Sequence, residues 1–126
     1  MTGKCMSRHQ VALLLMLVTD GRRFDATTVH PYSGVLTAER DHDTVLIDPD
    51  GRVAYDSAAP RGHTDADGRE IRPGLAVAID NDPGASPITG RIVHHLEGTL
   101  WRVRRDSGEF DAVVGHELGQ PMGGEA

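Results

Sequence analysis

The sequence predicts a mainly β protein with a short N-terminal helix, a β-meander and a small barrel at the C-terminal end. Three observations lead there. Short runs of alternating apolar residues recur from Gly34 onward, Leu75, Val77 and Ile79 being the clearest. Turn-forming clusters separate them, among them Asp48-Pro49-Asp50-Gly51, Glu97-Gly98 and Asp106-Ser107-Gly108. A helix-like apolar run with start and stop signals occurs near the N-terminus, in Val11 to Val18.

That run fixes the first element. Ser7-x-x-Gln10 has the spacing of a capping box, and Gly21 stands where a helix C-cap glycine belongs. A helix from Arg8 to about Thr19 is expected, either buried or pairing with a second copy. The competing arrangement is a hairpin with Asp20-Gly21 at its tip, joining residues 14–19 to 22–27; alanine, leucine and methionine favour the helix. Lys4 and Arg8 precede the run as in a signal peptide. However, the run is eight residues long, and Asp20, Arg22 and Arg23 stand where small cleavage-site residues would be needed. It is also too short to span a bilayer.

Thr28 to Tyr32 is expected to connect, with His30-Pro31 inside it. Strands should follow at Gly34–Ala38, Thr44–Ile47 and Arg52–Tyr55, the last two joined by the Asp48–Gly51 hairpin turn. Asp56 to Glu70 is polar and rich in turn-formers, which suggests an exposed linker. A division therefore falls between residues 1–70 and 71–126, unless the two β-rich stretches share one continuous core. Ser33-Gly34-Val35-Leu36 faintly echoes Thr89-Gly90-Arg91-Ile92, but these are common turn residues and coincidence is the favoured explanation.

The second region opens with Arg72-Pro73-Gly74 and the Leu75–Ile79 strand. Asp82-Pro83-Gly84 and Ser86-Pro87 form a loop. Strands are expected from Thr89 to about Leu96, from Thr99 to Arg104 with Trp101 and Val103 on one side, and from Glu109 to Val114 with Phe110, Ala112 and Val114 sharing a face. Gly119 to Ala126 has no periodicity and is expected to fray. Such short strands are stable only if the sheet curls over itself or packs on another layer.

Arg72-Pro73-Gly74, Val77, Thr89-Gly90-Arg91-Ile92, Gly98-Thr99-Leu100-Trp101-Arg102-Val103, Asp106-Ser107-Gly108 and Glu117-Leu118-Gly119-Gln120-Pro121 together form a pattern over about residues 72–121. It resembles an SH3-like small β-barrel of the KOW or Tudor type. The resemblance implies a barrel fold and a binding role toward nucleic acid, proline-rich peptides, modified side chains or other protein domains. Trp101 and Phe110 alone do not make the aromatic cage a methylated ligand would need.

Composition narrows the function. The chain has 126 residues, 38% hydrophobic and 4% aromatic, so its core must be largely aliphatic. The formal charge of −6 opposes strong attraction to nucleic acid or an anionic membrane. Lys4 is the only lysine among arginine-dominated bases, a bias resembling high-GC bacterial coding. A lone cysteine, Cys5, allows no intrachain disulfide and suggests a cytoplasmic setting.

The candidate chemical groups fall mostly to simpler explanations. Asp65-x-Asp67-Gly68-x-Glu70 and Asp48-x-Asp50-Gly51 resemble fragments of calcium loops but lack the remaining ligands, so turn chemistry explains them. His94 and His95 are neighbours on a strand and point to opposite faces, so they cannot chelate one ion together. Joining His116 or Glu117 to one of them would still require a third ligand. Ser33, Ser57, Ser86, Ser107 and Cys5 occupy no nucleophile motif, and there is no phosphate-binding glycine loop. Neither an enzyme nor a bound cofactor or metal is expected.

Arg91, Arg102, Arg104 and Arg105 form the one basic concentration. Arg102 and Arg104 should project from the strand face opposite Trp101 and Val103. From residue 71 onward, five Lys/Arg against eight Asp/Glu give a net of −3, which favours an ordinary solvated face. The expected function is thus a small cytoplasmic binding or adaptor module for another protein, with Arg91, Arg102, Arg104, His94 and His95 as its candidate surface. Asp80–Thr89 and Gly115–Pro121 would supply contact loops, and the N-terminal helix could self-associate. The alternative is a nucleic-acid-binding accessory protein using the arginine stripe.

Overall fold

The computed structural model describes residues 5–79 and 88–121. Within it the chain is mainly β, with one α-helix and two antiparallel sheets. It divides into two compact units, Met1–Ala58 and Ala59–Ala126. The Asp82–Pro87 loop of the sequence reading lies outside the described residues, as does most of the Asp80–Thr89 contact loop.

In the first unit, α1 spans Arg8–Thr19 and the hairpin alternative does not form. Both halves of the capping box are present: Gln10 N donates to Ser7 Oγ at 3.1 Å, and Ser7 N donates to Gln10 Oε1 at 2.9 Å. Gly21, at φ 105°, takes the left-handed conformation that ends the helix. Four strands follow in sequential order: β1 (Ala26–Val29), β2 (Leu36–Arg40), β3 (Asp43–Ile47) and β4 (Val53–Asp56). Leu36 pairs with Ile47 and Ala38 with Val45. These four are buried with Val53 and the helical Leu13 and Leu17, so one face of the meander and one face of the helix carry the aliphatic core.

Gln10 joins the two layers. It is 1% exposed, and its Nε2 donates to Gly34 O at 2.8 Å and to Ile47 O at 2.9 Å. A second tie is the fork between Arg22 and the buried Asp56, with N–O distances of 3.0 and 3.1 Å. On the outer side of α1, Val11, Leu15 and Val18 are exposed.

The stretch expected to be a connector is a strand as far as Val29. β1 is exposed through Thr28, so it shows no apolar alternation; its pairing with β2 creates it. The connection proper is His30–Val35, where His30 Nδ1 accepts from the backbone N–H groups of Tyr32 and Ser33.

The second unit is a five-stranded sheet made of β5 (Ala76–Ile79), β6 (Ile88–Glu97), β7 (Leu100–Arg105), β8 (Phe110–Val114) and β9 (Leu118–Gly119). Their spatial order is β8-β7-β6-β5-β9. A 3-10 turn at Gly115–Glu117 carries the chain back so that the last strand pairs with the first. Trp101 and Val103 point inward, as the alternation predicts, and are fully buried with Ile71, Val77, Ile92, Val113 and Leu118. Gly90 is required by close approach: a Cβ there would lie 2.3 Å from Arg104 O.

Three expectations need correction here. In β8 the buried residue is Val113, and Ala112 lies exposed on the face it shares with Phe110 and Val114. Gly119 is not frayed but paired, and Gln120 N donates to Asp67 Oδ2 at 2.7 Å. The supposed linker is ordered from Gly62 to Glu70 and belongs to the second unit. Thr64 bridges Glu70, and Ala66 N donates to Leu118 O at 2.8 Å. Asp65, 6% exposed, accepts from Asp67 N, Arg69 N and Arg69 Nε, all at 2.9 Å. Arg69 then donates to the carbonyls of Ala76 and Gly119. A turn-rich composition marks both mobile linkers and tight turns; only these long-range bonds distinguish the two.

The two β-rich stretches are not copies of one unit. Gly34 serves a loop at φ 76°, whereas Gly90 sits within a strand against backbone.

Candidate ligand-binding cleft

The site is built around the single tryptophan. β7 presents Trp101 inward, and the register sets His95 of β6 directly across from it. Their rings lie 5.0 Å apart at 70°. A third ring, His63, arrives from the turn-rich segment, 5.6 Å from Trp101 at 81° and 5.2 Å from His95 at 60°. These are edge-on aromatic contacts of the favourable kind. His95 is held by a 2.8 Å contact between its Nε2 and Gly98 O, across the β6–β7 turn. The backbone of His63 is held by Ile71 N, which donates to His63 O at 2.8 Å.

Beside this triad lies a cleft of about 390 Å³ lined by Arg61, Gly62, His63, Thr64, Ile71, Thr99, Trp101, Gly115 and His116. Its volume falls within the range of small-ligand sites. Gly115 closes the inner wall, with its N–H donating to Thr99 O at 2.8 Å and Ile71 Cδ1 only 3.1 Å from where a Cβ would stand. Arg61, Thr64, Thr99 and His116 are exposed, so the cleft opens to solvent on their side.

Trp101 is fully buried behind the cleft, and among the described residues its indole N–H, itself closed to solvent, meets no hydrogen-bond acceptor. Burying such a donor unsatisfied costs about 1–3 kcal/mol. In addition, among the described residues no carboxylate lines the cleft itself, although the chain as a whole is acidic. The nearest acid in sequence to its rim that carries a shift is Glu70. A hydrogen bond from Arg72, followed by the Gly62 N–H, holds its carboxyl below the usual 4.5. Glu70 Oε1 accepts from Arg72 Nη2 at 2.9 Å and Oε2 from Gly62 N at 3.2 Å, and the charge of Arg61 adds to the lowering, so this carboxylate stands at the rim of the cleft.

The residues singled out from sequence are distributed as follows. Arg91 and Arg104 are register partners on β6 and β7, and Arg102 stands across from His94, so one sheet face gathers the stripe. Arg91 is exposed and donates from Nη1 to Gly74 O at 3.0 Å; Arg102 and Arg104 are half-buried. Arg105 is engaged by Asp111 and by Glu109, and the hydrogen bond with Asp111 is the main reason its pKa is raised.

His94 is not a surface residue. It is 2% exposed, one of three successive buried residues with Ile92 and Val93, and a bulge between Ile92 and His94 sets it across from Arg102 rather than on the face of Ile92. His95 is half-buried and faces Trp101, so the two histidines do diverge as expected. Sequence reasoning missed the convergence of Arg61, His63, Thr99 and His116. No spacing rule connects them; a His63 placed in a presumed linker carried no signal.

The acidic turns are structural. Asp65 and Asp67 satisfy backbone and arginine donors, and Asp50 Oδ1 accepts from Arg52 N at 3.2 Å. Among the described residues no group of three His, Cys, Asp or Glu side chains is placed to hold a metal ion. None of the described helices is long and apolar enough to cross a membrane. Comparison with protein-family models, with curated proteins and with solved structures finds no match to this chain.

Proposed function

We propose that this chain is a small cytoplasmic adaptor that recognises another protein, acting by binding rather than by catalysis. The observation that carries the reading is the cleft beside Trp101: a ligand-sized recess whose accessible rim is Arg61, Thr64, Thr99 and His116, with His63 half-buried among them. We assign the second unit to the SH3-like small barrels. The return of β9 onto β5 and an interior filled by one indole among aliphatic chains support that assignment. Serine use favours binding over nucleophilic chemistry. Ser57 Oγ accepts from Thr44 N at 2.8 Å across the end of the first sheet, and Ser33 Oγ accepts from Val35 N at 3.2 Å within its own loop.

The test is selection of a random peptide library on the immobilised protein and on a Thr99→Phe variant, whose added ring fills the cleft from an exposed position. Peptides that bind the native protein and lose binding to the variant support the reading. Selection of none, or binding indifferent to the substitution, refutes it.

The register pairing of Arg91 with Arg104 favours a second reading, nucleic-acid binding along that sheet face. Titration with single- and double-stranded oligonucleotides at low salt tests it. Absence of binding there, or binding unchanged in Arg102→Glu/Arg104→Glu, removes it. Self-association through α1 belongs to the same proposal. Leu15→Lys should abolish any dimer detected by sedimentation, because Leu15 is the most exposed apolar residue of the helix.

A further inference from the structure

The open edge of the first sheet selects its own occupant. We infer that β1 pairs with β1 of a second copy of this chain, antiparallel about a two-fold axis at Thr28, so that the two sheets become one. This goes beyond the reading above and uses a strand of the first unit, not the cleft beside Trp101.

A sheet edge carries unpaired backbone N–H and C=O groups, which natural proteins blunt with charge, proline, bulges, extreme shortness or a covering segment. Among the described residues, the other edges are treated in this way. β4 pairs through an irregular register and ends in Asp56, which is forked to Arg22. β8 carries Asp111. β9 is two residues long, and its Leu118 and Gly119 carbonyls accept from Ala66 N and Arg69 Nη2. β1 has none of these devices beyond its modest length. Ala26 to Val29 contains no charge and no proline, its register with β2 is uninterrupted, and its first three residues are exposed.

The pairing register follows from where the free groups point. His30 N donates to Val35 O at 2.9 Å, in step with the pairing of Thr28 with Thr37. Because an antiparallel ladder alternates, Ala26 and Thr28 also turn their N–H and C=O toward β2, whereas Thr27 and Val29 turn theirs to the open edge. On either side the edge runs out: Asp25 N is engaged by Glu39 O at 2.8 Å, and Pro31 has no N–H. Residues directly opposite each other share a face, so in a symmetric pair of β1 strands one residue must meet its own copy. Centring on Thr27 sets Val29 against Asp25, whose N–H is taken. Centring on Val29 sets Thr27 against Pro31. Centring on Thr28 sets Thr27 against Val29 on both sides of the axis, and every outward N–H then meets a carbonyl.

The side chains fit the same register. On the face away from α1, Thr28 pairs with Thr37, Thr37 with Leu46 and Leu46 with Tyr55, one uncharged row across the whole sheet. Pairing at Thr28 continues that row into the second copy, with two threonines meeting at the axis, a favourable cross-strand pair. On the other face β-branched Thr27 and Val29 meet, and no like charges are brought together. The contact is small, so the dimer is a weak one that forms as concentration rises.

The test uses the full chain, raised from about 10 μM to about 1 mM. Sedimentation should show a dimer growing in, and exchange of the Thr27 and Val29 amides should slow by on the order of fivefold as it does. In a mixture of labelled and unlabelled chains, an isotope-filtered spectrum should show the Thr28 Hα close to its own copy. Thr27→Pro removes an outward N–H and keeps the β1–β2 bonds, a position where a strand tolerates proline. Thr28→Glu sets two carboxylates against each other at the axis. Each should weaken the dimer about tenfold or more, with the Ala38 and Val45 amide resonances reporting an intact sheet, whereas Leu15→Lys on α1 should leave it unchanged.

A chain that stays monomeric at about 1 mM overturns the inference. So does a dimer indifferent to Thr28→Glu, or one abolished by Leu15→Lys, which assigns association to α1. If Thr27→Pro disturbs the Ala38 and Val45 resonances, Thr28→Glu decides alone. Protection of the Thr27 and Val29 amides only by an added extended peptide, with the chain itself monomeric, replaces the second copy by a partner's strand.

Discussion

Replacement of Gln10 by leucine tests the central claim about the first unit, that a polar side chain locks its helix to its sheet. Leucine is of similar size, so little cavity is left. The substitution removes three hydrogen bonds: Nε2 to Gly34 O at 2.8 Å, Nε2 to Ile47 O at 2.9 Å, and Ser7 N to Oε1 at 2.9 Å. At about 1 kcal/mol each, these amount to roughly 3 kcal/mol. Two carbonyls are then left in a site where Gln10 was 1% exposed, adding about 1–3 kcal/mol apiece wherever water cannot reach them. Burial of the leucine side chain returns about 2 kcal/mol. With both carbonyls left dry the net loss should be at least about 3 kcal/mol, and as much as about 7. The remaining cap bond, Gln10 N to Ser7 Oγ, uses the backbone and survives. The assay is native-state amide exchange read at Ala38 and Val45, which are paired across the buried face. Both should lose protection together, by a factor of about 100 or more. Protection within a factor of about 5 of the native protein would refute the claim, since it would assign the lock to aliphatic packing alone.

Three further substitutions probe other elements. Gly90→Ala forces a Cβ to within 2.3 Å of Arg104 O and 2.9 Å of Arg105 Cα, both backbone; it should cost about 3 kcal/mol or more, read as an earlier Trp101 fluorescence transition in urea. Asp56→Ala leaves Arg22 without its fork and Ala58 N without its acceptor. A loss of about 3 kcal/mol is expected, and an Arg22→Ala/Asp56→Ala double variant should lose less than the sum of the singles. Glu70 has a lowered pKa, so its contribution is present above 4.5 and fades as pH falls through its folded-state value. Glu70→Gln should flatten the acid limb of stability against pH below 4.5 and leave the limb above neutrality unchanged. An unaltered acid limb would show that Arg72 and the Gly62 N–H do not hold the carboxylate in solution.

Local chemistry decided a good part of this molecule from its sequence alone. Ser7, Gln10 and Gly21 bounded α1 because capping depends on residues within one turn of one another. Trp101 and Val103 pointed inward because strand side chains alternate whatever the partner strand is. The acidic turns at Asp48–Gly51 and Asp65–Gly68 came out as turns because their carboxylates reach their own backbone.

Tertiary structure decided what depends on pairing across distance. β1 exists through its register with β2, and its sequence has no apolar rhythm to announce it. A bulge in β6 shifted the alternation so that His95 joins the face of Trp101 while His94 is buried across from Arg102, an event invisible to simple alternation. Arg69 and Asp67 docked a presumed linker onto β5 and β9, and that docking placed His63 against Trp101 and opened the cleft beside them. Sequence patterns carry information over a few residues, whereas a binding site is assembled from side chains that only the folded backbone brings within van der Waals reach.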